Sequence, residues 1–400
     1  MKETAFIVCE YDPFHNGHLR HLELTRSAGA KTVVCLMSGN LVQRGGLACC
    51  DKALRAKAAV LCGADLVAEL PLPGVLSGAS YYAEDAARTA AALGGDGTLS
   101  FGCEADGAAL AALFDLIAEP FVRERSLTLC EQQHYTYPRA LQAAAAEKSG
   151  DGKLTRLLAE PNTVLALEYR KAFERFAPDV DFFSVYRPPA AAHDGAIPSG
   201  TVASAKHIRT MLTDPSAFDA GNWRPYVPET VASLLLSGEK DGVLPLSADR
   251  FSVFVLSRLL SLDAEALRRT NGIGQGLEAL ILNAVRCCSD LNSLCDVVKS
   301  KRYTHARIRR ALVSAALGVQ RADLASTPAY VRVLAMNENG RRFLRERKNA
   351  FTLPVVMNLS DAPRCRQRSL DELSGRCVAL CRPVPKKDDT EYAVKPFVLS

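Results

Sequence analysis

The sequence contains no apolar run that approaches the roughly 18 residues a membrane span requires, so a transmembrane chain is not expected. Its first apolar run, Ala5–Cys9, is too short for the core of a secretory leader and lacks the small-residue cleavage pattern, so an exported protein is not expected either. There is no Cys-Xaa-Xaa-Cys, and the thirteen cysteines are odd in number and mostly set inside apolar runs. That usage favours free thiols in a reducing cytoplasm over a disulfide framework. Cys365, Cys377 and Cys381 are the one grouping with a possible zinc-ligating role. No internal repeat and no low-complexity tract occurs. What remains is ordinary globular material, 48% apolar and 23% charged, and its 400 residues are enough for two or three domains.

Charge is spread unevenly. Between Val297 and Ala350 thirteen Lys and Arg stand against three Asp and Glu, a local balance of +10 in a chain whose net charge is +5. Such asymmetry points to a polyanionic partner or to a solvated helical face.

The first 210 residues alternate between two periods. Short apolar runs at Ala5–Cys9, Thr32–Met37, Asp65–Leu70, Gly97–Phe101 and Val180–Val185 read as strands. Helical stretches at 17–28, 51–61 (with Asp51 as N-cap), 77–93, 108–118, 139–147 and 161–176 lie between them. The pattern predicts βαβ units and an α/β fold, a Rossmann-like parallel sheet. Ser204 caps a further short helix after a Pro/Gly/Ala-rich loop at 186–200. Beyond Asp214-Pro215 no strand is convincing, and helices are expected over 227–237, 252–262, 264–270, 277–288, 291–300, 304–317 and 341–348. The expected division is a nucleotide-binding domain over 1–213 and a mostly α-helical C-terminal domain over 226–400.

The segment Glu10-Tyr11-Asp12-Pro13-Phe14-His15-Asn16-Gly17-His18 closes the first strand. Pro13 ends that strand, and Gly17 permits a close backbone approach. His15 and His18, three residues apart at a helix start, share one face. The free N–H groups and positive dipole end of that helix suit a phosphate. Two imidazoles beside it can donate hydrogen bonds to oxygens whose charge grows in a transition state.

This strand–turn–helix resembles the HIGH-motif nucleotidyltransferase superfamily. Ala203-Ser204-Ala205-Lys206-His207-Ile208-Arg209 is similar to that superfamily's I-S-S-T-x-I-R element, in which Ser204, Lys206 and Arg209 would hold phosphates. The likeness narrows further. The run from Glu10 to His18 resembles the E-Y-N-P-F-H-N-G-H of the tRNA(Met) cytidine acetate ligase family. Met37–Gly45 with Asp51-Lys52 and Arg55, Gly63–Pro71, and Leu99–Glu104 match the same family. So do Pro161-Asn162 with Glu168-Tyr169, Tyr186-Arg187 with His193-Asp194, Lys301–Arg310, Val331–Leu334 and Asn337–Gly340.

The resemblance implies an ATP-dependent enzyme that makes acetyl-adenylate from acetate and acetylates the wobble cytidine of elongator tRNA(Met). It implies catalysis by His15 and His18. It implies ATP contacts along Ile7, Val8, Cys9, Glu10, Tyr11, Asp12, Pro13, Phe14, His15, Asn16, Gly17, His18, Leu19 and Arg20, and at Gly102, Asn162, Arg187, Ser204 and Arg209. Mg2+ would accompany ATP, with no dedicated protein metal site. Lys301, Arg302, Arg307, Arg309 and Arg310 would bind tRNA, and no protein partner is inferred. Asp12 replaces the family's usual Asn, and either contacts magnesium or points away. Lys52 and Arg55 are candidates for anion binding or for a solvated helix face. A small-molecule adenylyltransferase and a non-catalytic RNA-binding protein are the alternatives.

Overall fold

The computed structural model describes residues 1–133, 135–187, 200–274, 276–300, 303–385 and 390–399. His193, Asp194, Lys301 and Arg302 fall outside them. The strands are β1 (Thr4–Cys9), β2 (Thr32–Ser38), β3 (Leu41–Val42), β4 (Gly46–Leu47), β5 (Leu66–Leu70), β6 (Gly97–Cys103), β7 (Val180–Tyr186), β8 (Val331–Met336), β9 (Val355–Val356) and β10 (Phe397–Val398). The main sheet runs β10–β8–β5–β2–β1–β6–β7, with β9 joined to β8. All its pairs are parallel except β5 with β8.

β1 lies inside the sheet because its side chains are apolar on both faces. Phe6 packs with Val34, Leu36, Leu66 and Ala68 under helices Ala79–Ala92 and Pro161–Phe176. Ala5 and Ile7 pack with Val33, Cys35 and Val67 under helices Lys52–Leu61 and Ala205–Thr213. A third apolar core, which includes Phe251, Leu294, Leu312 and Val378, holds the helices of the later part together.

The strands and helices expected over 1–213 are present, with Asp51 and Ser204 as N-caps. Helix Pro120–Gln132 had no sequence signal. Its apolar Phe121 and Leu127 face solvent while Val122 and Leu129 are buried, so no single stripe stands out. The absence of strands after 215 is corrected by β8, β9 and β10. β8 was illegible because Arg332 interrupts its apolar run. That arginine faces Glu69 across the β5–β8 pair and is buried with it. The sheet is thus shared between residues on both sides of the 213–226 division.

The three C-terminal cysteines do not come together. Cys365 caps the start of helix Arg366–Cys381 and Cys381 ends it, about 24 Å away at 1.5 Å per residue. Cys377 and Cys381 are buried in the third core instead.

Candidate active site at the carboxyl ends of β1, β6 and β7

β1, β6 and β7 are neighbours in the sheet, and their carboxyl ends bring together the turn at 10–18, Gly102 and Arg187. This edge of a parallel sheet is where α/β folds bind ligands. The turn is unusual. Tyr11 has φ 47°, the one non-glycine residue with positive φ among the described residues, and the Asp12–Pro13 bond is cis. Burial of the Tyr11 ring against Phe14 and His18, at centroid distances of 4.8 and 4.9 Å, opposes the strain of its left-handed backbone.

His15 is the N-cap of helix Asn16–Ser27, and its Nδ1 accepts from the Gly17 N–H at 3.1 Å. His18 Nδ1 accepts from the His15 N–H at 3.3 Å. An imidazole that accepts at Nδ1 carries its proton at Nε2, so both rings present an Nε2–H donor. The rings stack at 3.6 Å. A side chain at 17 would meet His15 Cε1 at 2.9 Å, which is why glycine occupies that position.

Burial first, then the Arg187 and Arg209 cations, lower the His15 pKa to about 3. Burial, His15, Arg187 and His21 lower that of His18 well below its ordinary value. Both are neutral donors at physiological pH, and positive charge comes from the arginines. Arg187 lies across Gly102, where an added Cβ would meet its Cδ at 2.5 Å. Arg209 Nη1 donates to the Asp12 carbonyl at 2.7 Å. Ser204 accepts from the His207 N–H at 3.2 Å and keeps its own O–H free to donate.

Asp12 neither faces solvent nor is free for a cation. Oδ2 meets Arg44 at 2.5 Å, and Oδ1 accepts from the Cys49 N–H at 2.6 Å. Burial raises its pKa, but Arg209, Arg44, Arg55 and the Cys49 N–H outweigh this and leave it lowered.

Other expected residues have protein partners. Asn16 donates both amide hydrogens, to the Thr201 and Pro225 carbonyls, each at 2.9 Å. The Ile7 side chain is fully buried in the sheet, while Arg20 is exposed. Asn162 Nδ2 donates to Glu104 at 2.5 Å, and its side-chain carbonyl oxygen accepts from no donor among the described residues. Glu104 and Arg44 belong to the constellation but had not been singled out, whereas Glu10, an expected contact, accepts from the Gln43 N–H at 2.6 Å. The signal for Glu104 and Arg44 was their position within the matched motifs.

Lys52 and Arg55 are neither solvated nor free. Lys52 Nζ donates to both oxygens of Glu69, at 2.6 and 2.8 Å, and pairs with Glu391. Arg55 donates to the carbonyls of Glu10, Ser38, Gly39 and Cys50.

The basic segment is not one surface. Arg307 is exposed and stacks over Tyr303 at 4.7 Å. Arg309 donates to the Gly45 carbonyl at 3.1 Å and to Asn292 at 2.5 Å, and Arg310 donates to the Gln43 carbonyl at 3.1 Å. Arg332 is inside the sheet. Helix Glu338–Glu346, which carries Arg341, Arg342 and Arg345, begins beside Asp65 at the opposite end of the parallel strands.

A sequence model of the family described as HIGH Nucleotidyl Transferase matches residues 1–392. The tRNA(Met) cytidine acetate ligase of Syntrophotalea carbinolica is 36% identical over 370 residues, 88% of this chain and 84% of that protein. The ligase of the same name from Acetivibrio thermocellus is 31% identical, covering 90% of this chain and 89% of its own. Thermotoga maritima TmcAL, in a crystal structure bound with alpha-thio ATP, superposes with a TM-score of 0.88 at 24% identity over 100% of both chains, a likeness of fold. With matches of this extent across the sheet, the turn and the later helices, the chain belongs to the HIGH nucleotidyltransferases and, among them, to the tRNA(Met) cytidine acetate ligase family.

Proposed function

We propose that this chain joins acetate to the wobble cytidine of elongator tRNA(Met) at the expense of ATP. The observation that carries the reading is the stacked pair His15 and His18 at a helix N-terminus, each with an Nε2–H donor, in a chain at least 30% identical over nearly its whole length to ligases of that name.

In the first step an acetate oxygen attacks the α-phosphorus of ATP. The new acyl–phosphate bond forms as the bond to diphosphate breaks, and the chain supplies no nucleophile of its own. Its part is positioning and charge stabilisation. His15 and His18 donate from Nε2 to phosphate oxygens without an imidazolium having to be neutralised first. Arg187 and Arg209 balance the phosphate charge, and Ser204 with its helix N-terminus supplies further donors. Asn162 can accept from the base or ribose. In the second step the exocyclic amine of cytidine attacks the acetyl carbonyl, AMP departs, and the amine proton goes to solvent or to the leaving phosphate. An unpaired anticodon nucleotide reaches the site without disruption of a duplex.

Mg2+ belongs to this reading as the companion of the ATP phosphates. Among the described residues no group of three or more His, Cys, Asp or Glu could hold a metal, and both oxygens of Asp12 are engaged. The residues present therefore do not fit a protein-held ion at the turn, and no step is routed through it. Arg307, exposed beside Tyr303, supports a phosphate-tracking face for tRNA, with Lys301 and Arg302 as its sequence neighbours. No described helix is long and apolar enough to cross a membrane.

The test is incubation with ATP, Mg2+, labelled acetate and bulk tRNA, followed by digestion and mass analysis of the nucleosides. Labelled acetylcytidine that disappears without ATP is the expected result. No labelled nucleoside, with ATP binding intact, overturns the reading in favour of a small-molecule adenylyltransferase.

A further inference from the structure

The β3–β4 hairpin, residues 41–47, touches two parts of the molecule far apart in sequence. On one side it holds the turn that leads to His15. The Gln43 N–H donates to Glu10 Oε1 at 2.6 Å, and Arg44 Nη2 meets Asp12 Oδ2 at 2.5 Å. On the other side it lies on helix His305–Leu317. Arg310 donates to the Gln43 carbonyl and Arg309 to the Gly45 carbonyl, so two guanidinium groups grip the residues on either side of Arg44.

Gly45 records how close that contact is. Its φ is +76°, and an added Cβ would lie 2.7 Å from the Arg310 backbone N and 3.0 Å from the Arg309 carbonyl carbon. Both the backbone conformation and the backbone-to-backbone approach exclude a side chain.

From this arrangement we infer that Arg309 and Arg310 are positioning residues for the ATP-binding turn, acting through the hairpin, and not tRNA ligands. The inference rests on the ligase reading for what the turn binds. The argument is one of available donors. Arg309 spends Nε and Nη1 on protein acceptors, and both side chains are half-buried, whereas Arg307 is exposed and makes only a ring contact. A phosphate bound to Arg310 would compete with the Gln43 carbonyl, whose residue also fixes Glu10. The hairpin thus transmits the place of the later helices to the residues just before His15. Small displacements of such a turn are costly for catalysis, about a hundredfold for 1 Å.

Two variants separate position from charge. Gly45→Ala alters no charge, so the electrostatic part of RNA binding is untouched. Arg310→Ala removes both the charge and the grip. The readouts are the dissociation constants for ATP and, separately, for tRNA by the purified full chain, with a thermal melt of each variant without ligand. Gly45→Ala is expected to weaken ATP binding about tenfold while tRNA affinity stays within about twofold. Arg310→Ala is expected to weaken ATP binding similarly, and Arg310→Lys, which keeps a donor for the carbonyl, to restore most of it.

Wild-type ATP affinity in a folded Gly45→Ala protein overturns the inference. So does an Arg310→Ala variant that loses tRNA affinity and keeps that for ATP. If Arg310→Ala does not fold, Gly45→Ala and Arg310→Lys still decide the matter. Neither affinity depends on product formation. A failure of the acetylcytidine assay in the wild-type chain counts against the ligase reading, and a failure of these affinities counts against the hairpin's role.

Discussion

Two groups of opposite charges flank the central strands, and they differ in whether they are closed. In the first, Lys52, Glu69, Arg332 and Glu391 come from a helix, β5, β8 and the C-terminal segment, and every one is at most 7% exposed. Its cations and anions answer one another inside the protein. In the second, Asp12 is buried but its partner Arg44 is 44% exposed, and Arg209, His15 and His18 line the same edge. The closed group serves the fold, with Arg332 Nε its one buried donor that meets no acceptor among the described residues. The open group keeps the Nε2–H donors of His15 and His18 without a protein acceptor among the described residues. Charge alone does not distinguish them, and the number of acceptors already supplied by the protein does.

The largest effect is expected in the closed group. Glu69→Ala leaves Lys52 and Arg332 with one buried carboxylate between them, and should cost about 3–5 kcal/mol in urea unfolding. A loss below about 1 kcal/mol would mean that the group is hydrated and not closed. In the open group, His15→Ala or His18→Ala should lower acetate-dependent ATP–diphosphate exchange by about 10²–10³ while tRNA binding is nearly retained. Unchanged exchange in both variants would remove these histidines from the active site.

A pH series sharpens the same contrast. His15 titrates at about 3 in the fold against 6.5 when free. Below 6.5 the unfolded chain therefore binds a proton that the folded chain refuses, and stability falls as pH drops toward 3. Between pH 7 and 5.5 the buried Asp85 and Asp371, both raised to about 7, gain stability as they protonate, so the difference between proteins is the readout: lowering the pH should cost the wild type more unfolding free energy than it costs His15→Ala. Equal slopes would mean that His15 is solvated. Asp12→Asn keeps an acceptor for Arg44 and removes a negative charge near the phosphates. It should tighten ATP binding by less than about tenfold, and weaker binding would show that the Asp12–Arg44 pair is needed to shape the turn. The smallest effect is expected for Arg345→Ala, at the far end of the sheet. Stability should change by no more than about 0.5 kcal/mol, and tRNA affinity should not change. A large loss of tRNA affinity would restore the whole basic segment as one surface.

The first half of the fold was legible because its strands are short apolar runs separated by clear caps and breaks, such as Asp51 and Ser204. β8 was not, because Arg332 reads as a surface residue until Glu69 and Glu391 are seen around it. In the site, His15, Gly17 and His18 were legible because their chemistry lies within one turn of chain. The partners of Asp12 were not, since Arg44, Cys49 and Arg209 reach it from distant parts of the chain. The basic segment shows the opposite situation. Residues adjacent in sequence were counted together, yet the fold sends Arg309 and Arg310 to a hairpin, Arg332 into a sheet and Arg341 to the far end.

By itself the sequence determined the alternation of strands and helices, the caps, and the His-Asn-Gly-His turn after the first strand, all of which are set by interactions within a few residues. Only the tertiary structure decided which charges are spent and which remain available. A buried ion or donor is satisfied by whatever group the packing brings to it, and Lys52 with Glu391, or Arg310 with Gln43, are pairs separated by hundreds of residues.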